Sequence, residues 1–196
     1  MTRRVLAIFA VLGVVALVLG LYAVHLKRKV AREAQTATEQ QLGLAPPGNG
    51  PPEPVTLYLA SDSDGTLRKT QVSVALPAER SERDRAVLRA LFSQYLQSSS
   101  PHPIGPKSDV REVYLMGDDM AIVDTTSAFA DAHPSGVLAE ELTIASLVAT
   151  LNANDSKIAR VKILVNGQER ETLAGHADLR RFYEVGNIGQ VVKDMQ

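Results

Sequence analysis

The chain has 196 residues, a formal charge of −1 and 45% hydrophobic content, enough for one domain of common size beside a membrane segment. It contains no cysteine, which excludes disulfides, thiol nucleophiles, thiolate metal sites and lipid attachment through a cysteine. Its basic pairs, Arg68/Lys69 and Arg180/Arg181, are too isolated to track phosphates, so nucleic acid is not a predicted partner.

A tail of residues 1–4 precedes an almost unbroken apolar run from Val5 to Val24. About 20 such residues match the hydrocarbon thickness of a bilayer, which predicts a single transmembrane anchor over residues 5–26. A cleaved signal peptide is the rival reading, since Arg3 and Arg4 form a basic start. The run outlasts a signal h-region, however, and meets His25, Lys27, Arg28 and Lys29. Counting Lys and Arg alone would put the following domain in the cytoplasm, whereas a four-residue tail with two arginines resembles an export signal. The predicted location is the cell membrane, with the C-terminal domain extracytoplasmic.

Residues 27–54 form a predicted stalk. It is polar and helix-permissive to Gln41, then proline-rich through Pro46, Pro47, Pro51, Pro52 and Pro54, which gives a semi-extended spacer. Val55–Ala60 alternates as a strand, Asp62-Ser-Asp-Gly65 turns the chain, and Leu67–Leu76 alternates again, predicting a hairpin. Ser81–Gln97 reads as a helix with Ser81 as N-cap and Asp84 closing a shortened capping box. After an irregular loop from Ser98 to Asp109, Val110–Met116 and Met120–Asp124 flank Gly117-Asp-Asp119 as a second hairpin. Ser135–Asn154 is a second helix, with Leu138, Leu142, Ala145, Val148 and Leu151 on one side. Ile158–Val165 and Glu169–Leu173 flank Asn166-Gly167 as a third hairpin. This order predicts an α+β fold, a mostly antiparallel or mixed sheet with two helices packed on it. No glycine-rich strand-to-helix loop provides a nucleotide cradle, and no cofactor is predicted.

The segment 55–179 resembles the GerMN domain of bacterial envelope proteins, named for a spore germination protein. The resemblance rests on Val55-Thr-Leu-Tyr-Leu59, Ala90-Leu91, Ala121-Ile-Val-Asp124 with Phe129, and Glu141 through Ser146-Leu-Val148 with Thr150-Leu151. It continues through Val161-Lys-Ile-Leu-Val-Asn-Gly167, Leu173-Ala-Gly-His176 and Asp178-Leu179. It implies an α/β sandwich-like module used for protein contacts, with no established catalytic role. The chain departs from some relatives in its single copy, its missing lipid-attachment cysteine and Ala177 where a larger apolar residue is common.

No residue is assigned a catalytic, cofactor-binding or metal-binding role. His176 with Asp178 is the sharpest polar pair, since residues two apart on an extended chain share a face and a carboxylate can orient an imidazole. No third partner lies near it in sequence, and Asp178 also suits a turn cap. Asp62-Ser-Asp-Gly65 imitates the opening of a calcium loop without its closing glutamate, and is read as a turn, as is Gly117-Asp-Asp119. His102 and His133, in proline-flanked loops, are read as solvent-exposed and unrelated. Glu140 and Glu141, about 100° apart on a helix, are read as surface charges complementing the macrodipole. The tail 180–196, with Phe182, Tyr183, Val185, Ile188, Val191 and Val192, is predicted to pack back on the domain, partner binding being the alternative.

The predicted function is a noncatalytic interaction or scaffold module at the bacterial envelope, linked to sporulation or germination. Its expected partners are the bilayer through residues 5–26, other envelope proteins and a second copy of itself. One alternative is a receptor for a small ligand or cell-wall glycan, disfavoured by 5% aromatic content and no tryptophan. The other is an enzyme using His176 and Asp178.

Overall fold

The computed structural model describes residues 51–188. The anchor predicted at 5–26, the stalk through residue 50 and the tail beyond 188 lie outside the described residues. Among the described residues, no helix is long and apolar enough to cross a membrane.

The elements are β1 (Pro52–Ser61), β2 (Thr66–Ala75), α1 (Arg80–Tyr95), β3 (Val110–Met116), β4 (Met120–Thr125), α2 (Ser127–Asp131), α3 (Val137–Asn154), β5 (Arg160–Val165) and β6 (Tyr183–Glu184). β1 and β2 form a separate two-stranded antiparallel sheet, and the second sheet has the order β3-β4-β5-β6. That second sheet is mixed. β4 and β5 run parallel, linked through α2 and α3, while the flanking pairs are antiparallel. The fold is therefore α+β as predicted, with two sheets in place of one.

β1 starts at Pro52, so the last prolines of the predicted stalk belong to a strand paired with Ser73–Ala75. The amides of Thr56, Tyr58 and Ala60 all point away from β2, toward helix side chains. Pro52 and Pro54 share that parity, so their missing N–H groups remove no bond from the β1–β2 ladder.

α1 is capped by Glu79 rather than Ser81. The Glu79 carboxylate accepts the amides of Ser81 and Glu82, and the Ser81 hydroxyl donates to that same carboxylate. Val87, Leu88, Leu91, Phe92 and Tyr95 face the core as the spacing predicts, whereas Leu96, read on the same face, is exposed, and Phe92 stacks on Phe129 of α2 at 5.1 Å. α3 starts two residues later than predicted, after Gly136, whose φ of 156° suits glycine. It packs on β1 and α1, and from Leu142 to Val148 every residue is buried. The middle two turns are thus buried on all sides, whereas Leu138, read from the sequence on the buried side, is exposed.

The third hairpin fails beyond its turn. Asn166 (φ 51°) and Gly167 (φ 73°) take the left-handed conformation that the turn requires, and Val165 pairs with Gln168. Residues 169–173 form no strand. Their continuation curls inward, with the amides of Ala174, His176 and Ala177 directed at a buried carboxylate, and β6 takes the place beside β5. The side chains of Tyr183 and Ile188 pack into the core while Phe182 stays half-exposed.

Candidate functional site

The polar side chains with chemical potential are gathered along α3. Glu140, Thr143, Ser146 and Thr150 are each at most 1% exposed, and with Asn154 they follow the three- and four-residue spacing that aligns side chains on a helix. This polar stripe runs inside the domain and serves three neighbours.

At its C-terminal half it covers the outer edge of β1. The Asn154 side chain accepts the Thr56 amide and donates to the Thr56 carbonyl, and the Thr150 hydroxyl accepts the Tyr58 amide at 3.0 Å. The Ser146 hydroxyl donates to the Tyr58 carbonyl, and the Tyr95 hydroxyl accepts the Ala60 amide at 2.9 Å while bonding to Ser146. Edge groups that another strand would have paired are satisfied by side chains.

In the middle, the Thr143 hydroxyl sits between two imidazoles. His102 Nε2 lies 2.6 Å and His133 Nε2 2.8 Å from Thr143 Oγ1, His102 Nδ1 is 2.5 Å from Asp62 Oδ1, and His133 Nδ1 donates to the Pro134 carbonyl at 2.8 Å. Both histidines are buried, contrary to the exposed and separate positions expected. Proton counting constrains the set. A carboxylate and a carbonyl only accept, so both Nδ1 atoms carry hydrogen. Two neutral rings would then present two bare Nε2 acceptors to a single hydroxyl hydrogen, for which the Ala139 carbonyl also competes. Thr143 is thus the shared centre of a chain that runs from Asp62 through His102 to His133. Burial holds the His133 imidazole below its usual value, the Pro134 carbonyl opposing, in keeping with its place as the neutral terminus.

Asp62, His102 and Thr143 copy the order of a carboxylate–imidazole–hydroxyl triad. Their placement differs in the decisive respect. Thr143 and His102 are each 1% exposed, and the hydroxyl is enclosed by two rings and the Ala139 carbonyl, leaving no space for a substrate carbonyl. The arrangement ties the β1–β2 turn, the 98–109 loop and the α2–α3 connection to α3.

At the N-terminal end, Glu140 is fully buried, not a surface charge. One carboxylate oxygen accepts the amides of Ala174, His176 and Ala177 at 2.9–3.0 Å, and the other accepts the Gly136 amide at 3.2 Å and His176 Nδ1 at 2.8 Å. Burial raises its pKa, but the His176 ring and the three loop amides outweigh it and bring the carboxyl down to about 2. Glu141, its neighbour in sequence, stays partly exposed.

His176 and Asp178 are not brought together. His176 turns to Glu140, and Asp178 accepts the Arg180 amide at 2.9 Å and its Nε at 3.1 Å. In the Asp62–Gly65 turn, Asp62 is taken by His102 and Asp64 by Ser63. Asp119 pairs with Arg160, and the Asp118 carbonyl faces Arg80. Among the described residues, no group of three or more His, Asp or Glu side chains could hold a metal ion. A concavity of about 270 Å³ beside Phe182 and Ile188 and another of about 80 Å³ beside Tyr95 and Pro101 fall short of the 300–1,000 Å³ usual for ligand sites.

One further acid is the Asp84 that the sequence places in a capping box. Asp84 is 3% exposed, and its Oδ2 has no hydrogen-bond partner. Burial, with repulsion from Asp155, pushes it up to about 7 against the pull of Arg80 and Arg83.

The family model Germane, described as sporulation and spore germination, matches residues 56–171. No curated protein matches. Among solved structures, a candidate lipoprotein from Clostridium perfringens is 21% identical with a TM-score of 0.46, covering 75% of this chain and 96% of that one. The first GerMN domain of the sporulation protein GerM from Bacillus subtilis is 23% identical with a TM-score of 0.44, covering 65% and 92%. The tandem GerMN domains of that protein are 20% identical with a TM-score of 0.45, covering 66% of this chain and 44% of theirs. With its family model spanning more than half of its length, this chain belongs to the Germane family of sporulation and spore germination.

Proposed function

We propose that this chain is a membrane-anchored, noncatalytic module that holds protein partners together at the bacterial cell envelope, in the service of sporulation or germination. Family membership supports the process. The observation that carries the noncatalytic part is the internal use of the reactive side chains. His102, His133 and Thr143 are sealed against one another, and Glu140 holds His176 and the loop amides. Attachment is assigned to the apolar run at residues 5–26, since no cysteine is present for a lipid.

Fractionation of cells expressing the full chain tests the anchoring. The expected result is sedimentation with membranes, release by detergent but not by salt, and cleavage by protease added to intact spheroplasts. Recovery in the soluble fraction without detergent, or protection from external protease, overturns it. The interaction role is tested by crosslinking in the same spheroplasts. Discrete adducts are expected with the wild-type chain, and their complete absence counts against the scaffold.

A further inference from the structure

The two edges of the β1–β2 sheet are treated differently. The outer edge of β1 is covered by Tyr95, Ser146, Thr150 and Asn154. β2 pairs with β1 through ten consecutive positions without a bulge. By the parity of that ladder, the amides and carbonyls of Leu67, Lys69, Gln71, Ser73 and Ala75 point outward, and among the described residues nothing bonds to them. Lys69, Gln71 and Ser73 are exposed. Proteins normally blunt such an edge with proline, a bulge or charge. Here the strand is proline-free and unbulged, its charges Arg68 and Lys69 lie in the half next to the turn, and Thr70–Ala75 is an uncharged stretch with branched residues at 70, 72 and 74.

We infer that β2 is a seam at which a second copy of this chain pairs, the two β2 strands running antiparallel about Gln71 to make one continuous four-stranded sheet. The inference rests on the scaffold reading and gives it a surface and a partner. This register brings all the outward residues into hydrogen-bonded positions, about ten ladder bonds in total. Centring the pair on Lys69 would oppose like charges. Centring it on Gln71 sets Lys69 across from the partner's Ser73 and Arg68 across from the partner's Val74. Glu53 stands opposite Val74 in β1 and is held by Arg83 of its own copy, so each Arg68 faces, about 9.6 Å away across one valine, an ion pair of the partner and no like charge directly opposite. The register therefore sets no like charges opposite one another across the seam.

The natural absence of cysteine allows a test by register-specific crosslinking of the full chain in membranes. Under mild copper–phenanthroline oxidation, Gln71→Cys gives a disulfide-linked dimer. Lys69→Cys alone gives at least about tenfold less, because two residues 69 lie about 14 Å apart, too far for a disulfide. A tagged Lys69→Cys copy mixed with Ser73→Cys restores the product. In a Gln71→Cys background, Ser73→Pro removes only an outward N–H and lowers the dimer about tenfold with an unchanged melting temperature. No dimer at Gln71→Cys, equal yields at 69 and 71, or no response to Ser73→Pro overturns the seam. Such a failure is distinct from that of the scaffold reading, which is judged by adducts of the wild-type chain with other envelope proteins.

Discussion

Glu140 and Asp84 are both removed from water, yet their surroundings drive them in opposite directions. Glu140 lies at the start of α3, where the loop 174–177 and His176 supply donors to both oxygens, and it stays ionised down to about pH 2. Asp84 lies on α1 beside Asp155, with one oxygen unpartnered, and keeps its proton up to about pH 7. Burial alone does not decide what a carboxylate does for a fold. The donors aimed at it do. Glu140 organises a loop that would otherwise have no reason to curl, whereas ionised Asp84 opposes the packing around it.

The strongest challenge to this contrast is Glu140→Ala, which strands a set of inward-facing amides. It is expected to cost about 3–5 kcal/mol in urea unfolding at pH 7, with hydrogen exchange rising first in residues 171–179. A cost below about 1 kcal/mol would mean that the loop holds its shape without the carboxylate. Asp84→Asn tests the other side. An acid whose folded pKa is raised is neutral in both states below about pH 4. Between pH 4 and 7 the unfolded chain ionises first, so the wild-type protein loses stability as pH rises. The substitution should therefore stabilise by up to about 4 kcal/mol at pH 8, with the gain fading to nothing near pH 4. Glu140 has the opposite sign. Its contribution of about 3 kcal/mol is complete above pH 4.5 and disappears as pH falls through 2, so thermal melts of wild type and Glu140→Ala converge in acid.

Smaller effects sharpen the picture. Thr143→Val removes the hydroxyl shared by His102 and His133 and should cost about 2–3 kcal/mol, with both imidazole Nε2 signals shifting in ¹⁵N spectra. His176→Ala withdraws one donor from Glu140 but leaves the amides, and its half-exposed ring limits the cost to about 1 kcal/mol by chemical denaturation. Asp178→Ala removes an exposed contact with Arg180 and should leave the melting midpoint unchanged. A large effect there would restore Asp178 to the centre of the site.

The features legible in the sequence were those that repeat locally. The β1–β2 and β3–β4 hairpins, the body of α1 and the length of α3 come from alternation, turn residues and helical spacing over neighbouring positions. The polar centre was illegible for the opposite reason. Asp62, His102 and Thr143 come from positions about 40 residues apart, and the prolines beside His102 and His133 read as exposed loop. The 100° separation of Glu140 and Glu141 is real. It sends one inward and the other toward water, a difference that only the fold of residues 174–177 decides. The last hairpin misled because Asn166-Gly167 fixes a turn but not the pairing of the residues after it. A buried acceptor claimed the next amides, and a two-residue strand with no pattern of its own took the vacant edge.

The cover that α3 lays over β1 works like a vernier scale. Four residues of helix advance about 6.0 Å and two of strand about 6.7 Å, so contacts spaced in this way drift by only about 0.7 Å per repeat. The short hydroxyls at 146 and 150 serve the carbonyl and the amide of Tyr58, and one repeat further on the longer amide of Asn154 reaches both groups of Thr56. Beyond that point α3 ends at Asn154, and the strand carries Pro54 and Pro52, whose nitrogens ask for nothing. The stretch of strand that this helix chaperones thus ends with the helix itself, and the prolines begin where its side chains stop.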